Sequence, residues 1–238
     1  MTASAADIQF TKTAENTSAG GINNGVLISS TKNSFMVAIT DAERIAGGSR
    51  IKKFCTFNNH ATDAYTLPGV WVTPATGVTD EIGLGFDDGD DDDSTQGNMT
   101  AFASNAVVAL ISDAADTRTV TVYGLTAAGA AQSEAIVLTG AVEVLGLLTF
   151  SAVYAAKVSA TGAQTVTLKQ GSGGTTRGTI GPTFKCCWLW LSANSQGAAI
   201  LTANLAAQTA NCFWWQQTWA AGVAGQRPDT STLNAVDS

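Results

Sequence analysis

Thr119-Val120-Thr121-Val122-Tyr123, the glycine-bounded turn Gly124-Leu125-Thr126-Ala127-Ala128-Gly129 and the run Ala135-Ile136-Val137-Leu138 read together as strand, turn and strand. They stand within a series of short apolar runs: Ala106 to Ile111, Val142 to Val144, Leu147 to Phe150, Val153 to Val158 and Thr165 to Leu168. Gly, Asn, Asp, Ser or Pro stops each run, which is the punctuation of strands. Their spacing suits a sandwich or small barrel, so the chain is expected to be all-β and antiparallel, with helical signal confined to a weak alanine-rich stretch at Ala198 to Ala207 that reads as strand or loop.

Upstream, the runs Val26 to Ile28, Phe35 to Ile39, Ile51 to Phe57 and Val70 to Val72 carry the same grammar. Ile51-Lys52-Lys53-Phe54-Cys55-Thr56-Phe57 has apolar side chains recurring near period two and reads as a half-buried strand. Downstream, Phe184 to Leu191 and Cys212 to Trp219 hold five of the six tryptophans, which predicts strands with large buried faces. In Trp188-Leu189-Trp190-Leu191, alternation puts the indoles on one face and the leucines on the other, as in a strand at the centre of a sandwich or at an interface. Trp188, Trp190, Trp214, Trp215 and Trp219 are therefore the interface candidates.

Two β units are expected, with the central one inserted. Residues 1–24 are small, polar and without hydrophobic period, and read as a flexible arm. Residues 25–105 with 173–223 form the aromatic-rich sandwich, 106–172 the inserted unit, and 224–238 a C-terminal tail. The boundary at 172 rests on Gln170-Gly171-Ser172-Gly173-Gly174-Thr175-Thr176, too rich in Gly and Ser to fix its own dihedrals.

Over 238 residues, apolar types make up 45% and charged types 13%, about half the usual charged share, so little self-repulsion opposes contact between copies. Self-association is the expectation. Eight of the nineteen acids lie between Asp80 and Asp93, which leaves the remainder of the −7 chain close to neutral. Basic residues are scattered, with Arg50, Lys52 and Lys53 as the one cluster, which argues against nucleic-acid binding. No run approaches a membrane span, and the first ten residues lack a secretory pattern, so a cytosolic protein or particles assembled there are expected.

Catalytic grammar is thin. His60 is the single histidine and sits in the polar stretch Asn58 to Thr62; Ser49 after Gly47-Gly48 is an ordinary loop serine, and neither GxSxG nor a P-loop occurs. The chain is read as a non-enzyme without cofactor. Asp87-Asp88-Gly89-Asp90-Asp91-Asp92-Asp93 raises a calcium site, with Asp87, Asp88, Asp90 and Asp92 as ligand candidates, but the run matches no EF-hand register and a solvated or contact loop is favoured. Cys55, Cys186, Cys187 and Cys212 lie in apolar runs without CxxC spacing and read as reduced core residues in preference to disulfides or metal ligands. Phe213, Trp214, Trp215 and Trp219 admit a second use as a sugar-stacking platform, with core packing favoured.

Val122 to Gly140 follows the pattern V-x-G-L-x-x-x-G-x-x-Q-x-E-x-I-x-L-x-G, and Phe150-Ser151-Ala152-Val153 supplies the F-x-x-V after it. Lys53-Phe54-Cys55-Thr56-Phe57-Asn58-Asn59, leading to Val70-Trp71-Val72, Pro74 and Asp80-Glu81-Ile82, makes a second element. Together these resemble minor capsid and tail proteins of tailed bacteriophages over roughly half the chain. The resemblance implies a virion component assembled in the host cytoplasm, with copies of itself and other virion proteins as partners. Capsid decoration or minor capsid protein is the favoured place, with neck, tail or baseplate next; a carbohydrate-binding module is the alternative of another class.

Overall fold

The computed structural model describes residues 7–13, 23–28, 40–65, 68–73, 81–87, 95–192, 199–201, 204–222 and 232–237. In chain order the elements begin with β1 (Ile8–Thr13), β2 (Asn23–Leu27), α1 (Asp41–Ala46), β3 (Gly48–Asn58), β4 (Pro68–Thr73) and β5 (Glu81–Asp87). There follow β6 (Thr95–Gln96), β7 (Ala106–Ser112), β8 (Thr119–Leu125), β9 (Ala131–Val137), β10 (Val144–Phe150), β11 (Ala152–Val158) and β12 (Val166–Gln170). The last are β13 (Thr175–Ile180), β14 (Cys186–Trp188), β15 (Ile200–Leu201), β16 (Ala210–Trp219) and β17 (Thr232–Asp237). The protein is all-β and largely antiparallel, of sandwich type.

Two compact units share the chain. One takes the residues up to Leu84 and those from Leu191 onward; the other takes Gly85–Asp88 and Asp93–Trp190. The central unit has a four-stranded sheet in the order β10-β7-β12-β13 and a five-stranded sheet in the order β6-β14-β11-β8-β9. Its core is made of the inward residues of both, Val108 and Leu110 from β7, Val120 and Val122 from β8, Phe150, Val153 and Leu168 among them. In β8 buried and half-buried positions alternate without a break, as one apolar face requires. By contrast β11, flanked by β14 and β8, has Val153 to Ala156 buried in succession, so both its faces are covered.

The outer unit is built on the ladder between β3 and β16, ten consecutive pairs from Phe57↔Ala210 to Gly48↔Trp219. Phe54 and Phe213 stack across it with centroids 5.5 Å apart, and the buried Lys53 holds its ammonium 5.7 Å from the Trp214 ring centroid. The sheet runs β2-β1-β3-β16-β5, and a second sheet has the order β15-β4-β17. Buried Asn58 closes the end of β3: its amide donates to the carbonyls of Asp63, Leu205 and Ala206, and its oxygen accepts from the His60 N–H.

Several expectations are corrected. Residues 8–13, assigned to a flexible arm, form β1 and pair with β3 from Ile8↔Asn58 to Lys12↔Phe54. Their buried positions, Thr11 and Thr13, are polar; each hydroxyl donates to a β3 carbonyl, so no apolar period marks the strand. Residues 232–237, assigned to a tail, form β17 and pair along β4. The glycine-rich stretch placed at a domain boundary is the hairpin between β12 and β13, with Gly171 at φ 76° and Gly173 at φ 59°. Hence residues 173–190, expected in the outer unit, pair inside the central one. The cysteines divide: Cys55 and Cys212, directly opposite in the β3–β16 ladder, are a disulfide, while Cys186 and Cys187 are buried thiols. Cross-strand register brings the first pair together, a proximity that spacing of 157 residues does not reveal. The expected strand Phe35 to Ile39 lies outside the described residues.

Candidate functional site

Edge strands β9 and β10 belong to different sheets of the central sandwich, and polar side chains of β9 stitch them together. Glu134 accepts the backbone N–H of Leu147 at 2.5 Å and of Leu148 at 3.2 Å. Gln132 donates its amide to the Thr149 carbonyl at 2.7 Å. These backbone groups belong to the stretch of β10 where its register with β7 breaks, between Leu145↔Ala109 and Thr149↔Val107. A strand edge that leaves its ladder offers unpaired donors and acceptors; here β9 side chains satisfy them.

Gly146 gives this seam its closeness, because a Cβ there would stand 2.6 Å from the Glu134 carboxylate. Gly124 does the same on β8, where a Cβ would collide with the Ala152 carbonyl oxygen and lie 2.9 Å from the Phe150 ring. Ser151, between β10 and β11, donates to the Thr126 carbonyl at 2.6 Å and ties the β8–β9 turn to the same end.

With its backbone held from behind, β10 turns apolar side chains outward. Leu147 is 91% exposed, and Leu145, Leu148, Val142 and Val137 are all exposed as well. Among the described residues eight large apolar side chains are exposed, and these are five of them. Glu143 beside them is occupied within the chain, accepting from Gly173 N–H at 2.8 Å, Ser172 hydroxyl at 3.0 Å and Lys169 ammonium at 3.0 Å. The Gly173 N–H first, and then Lys169, hold its carboxyl below the ordinary glutamate range.

The interface candidates lie elsewhere. Trp188, Trp214, Trp215 and Trp219 are buried and Trp190 is half-buried, packed edge-on to Trp188 with centroids 5.6 Å apart. Gly85 and Gly97 make room for these two indoles: a Cβ at either would overlap Trp188 or Trp190. Trp219 donates its indole N–H to the Glu43 carbonyl and lies under the Arg50 guanidinium. Phe213 is buried too, so the aromatic cluster offers no open stacking platform for a sugar.

Of the calcium candidates, Asp87 is buried at the end of β5, and Asp88, Asp90 and Asp92 lie outside the described residues. No group of three potential ligands gathers among the described residues. His60 serves its own turn, its Nδ1 accepting the N–H groups of Asp63 at 3.0 Å and Thr62 at 3.3 Å. The basic cluster is dispersed: Arg50 pairs with Glu43, Lys53 is buried under Trp214, and burial lowers the pKa of Lys52. Burial also pushes the Cys187 thiol up to about 12, which leaves it without a reactive thiolate.

The leucine surface is hard to see in the sequence because Val142 to Val144 and Leu147 to Phe150 read as two separate apolar runs, whereas Val144 and Leu147 to Phe150 belong to one strand with exposed positions. The available signal was Leu147-Leu148 together: adjacent side chains on a regular strand point to opposite faces, so one of them must leave the core. Compared with protein-family models, curated proteins and solved structures, the chain matches none.

Proposed function

We propose that this protein is a non-catalytic structural component of a bacteriophage particle, a capsid decoration or minor capsid protein, that stabilises the assembly through subunit contacts. The observation that carries the reading is the use made of the motif residues. Gly124, Gln132, Glu134 and Phe150, which carry the resemblance to phage virion proteins, are all engaged in joining strands: a close approach, two side-chain-to-backbone stitches and a core ring. A motif of that kind builds a rigid body that presents a surface, and the surface it presents is apolar. Neck, tail or baseplate placement uses the same chemistry.

The Cys55–Cys212 disulfide supports this reading, because such a bond persists in oxidising surroundings, which a particle meets once released from its host. The test is to purify particles from the source and identify their proteins by mass spectrometry after a gradient. Co-sedimentation of this chain at a fixed ratio to the major shell protein is expected. Its recovery wholly in the soluble fraction, with particles of normal composition, overturns the proposal.

A further inference from the structure

The exposed leucines name the partner as well as the face. Building on the structural role proposed above, we infer that the β9–β10 seam, centred on Leu147, is the surface on which a second copy of this chain docks.

Size is the first argument. Val137 at the end of β9, Val142 in the turn after it and Leu145, Leu147 and Leu148 on β10 leave together roughly 500 Å² of residue surface exposed, within the span of the largest patch a monomer ordinarily shows to water. Full cover of both surfaces removes up to roughly 1,000 Å² before any polar rim is counted, which is the threshold of a specific interface. A small ligand would cover one or two of the five side chains and leave most of that area wet.

Charge is the second. The stretch from Thr95 to Trp190, which carries the seam, has four acids and five bases, so this face brings little net charge of its own to a contact between copies. The two carboxylates at the seam are already engaged, Glu134 by backbone N–H groups and Glu143 by Lys169, Ser172 and Gly173. A strongly basic or acidic partner gains nothing here, whereas a copy of the same apolar, internally neutralised face is matched to it.

Preorganisation is the third. Glu134 and Gln132 hold the backbone of 147–149 in place before any contact, so docking orders little chain. The same stitches occupy N–H groups that would otherwise invite open-ended strand addition, so the contact is made by side chains and can close as a symmetric pair.

The test is sedimentation of the full chain over a hundredfold concentration range, with L147D, V142D and, as a control on an exposed apolar residue of the outer unit, I45D. Wild-type association, weakened about tenfold or more by L147D and V142D but not by I45D, is expected. Because Leu147 and Val142 are exposed, both variants should melt like wild type, and two sites guard against one failing to fold. Association unchanged in both variants overturns the inference while leaving the particle role intact. A wild type that stays monomeric throughout also overturns it, and the particle role then stands or falls on co-sedimentation alone. Loss of L147D from particles without any change in self-association would assign the face to a different virion protein and overturn the choice of partner.

Discussion

Gly124 and Asp116 show how single residues set tolerances in the central unit. At Gly124 a methyl group has nowhere to go, since the obstacle is the Ala152 backbone oxygen rather than a movable side chain. Gly124→Ala should cost about 2–3 kcal/mol, read as a lower melting temperature and an unchanged denaturant slope. Gly146→Ala meets only the end of the Glu134 side chain and should cost less, about 1 kcal/mol. Asp116, buried beside β8, accepts from the Arg118 guanidinium at 2.6 Å, from the Arg118 backbone N–H at 2.9 Å and from the Ser112 hydroxyl at 3.3 Å. The guanidinium, foremost, holds the carboxyl below its ordinary value of 3.8. A depressed carboxylate stabilises fully above the unfolded value and ceases to do so as pH falls through the folded one. Urea midpoints should therefore be insensitive to this group at neutral pH and drop below about pH 4. Asp116→Asn should flatten that acid limb and cost about 2–3 kcal/mol at pH 7, because Arg118 stays largely enclosed.

At the scale of elements, the legible strands were those whose buried face is apolar. In β8, Val120 and Val122 announce the core by alternation, and Trp188 and Trp190 pack edge to face where β14 ends. Strands β1 and β17 were hidden for different reasons: β1 buries threonines, and β17 is a short run near the end of a polar stretch, made a strand by its partner β4. Helix α1 carried a legible signal that went unread, since Thr40 and Glu43 form a capping box, Glu43 accepting the Thr40 N–H at 2.8 Å and Thr40 accepting the Glu43 N–H at 3.3 Å. The seam of β9 and β10 could not be read in advance, because Glu134 and Gln132 look like ordinary outward residues until a second sheet edge is placed beside them. Glu134→Ala should free two N–H groups and cost about 1 kcal/mol, with faster hydrogen exchange confined to Leu147 and Leu148.

For the whole molecule, the glycine-rich stretch expected to divide two bodies is a hairpin within one of them. Glycine enrichment at 170–176 has two physical uses, slack between bodies and positive φ in a tight hairpin, and composition does not separate them. The outer unit depends on strands far apart in sequence, with β3 waiting for β16 across the whole central sandwich. Its disulfide should stabilise that unit by about 3 kcal/mol, so reductant should lower one calorimetric transition and leave that of the central unit in place. A single transition that ignores reductant would refute this division of stability.

Because Cys55 and Cys212 bracket the chain from Thr56 to Asn211, a protease that nicks any bond between them releases nothing. Such molecules would run near full length on a denaturing gel until a thiol is added, and only then fall into two fragments. The bond thus makes the protein indifferent to a class of damage that would sever an uncrosslinked chain.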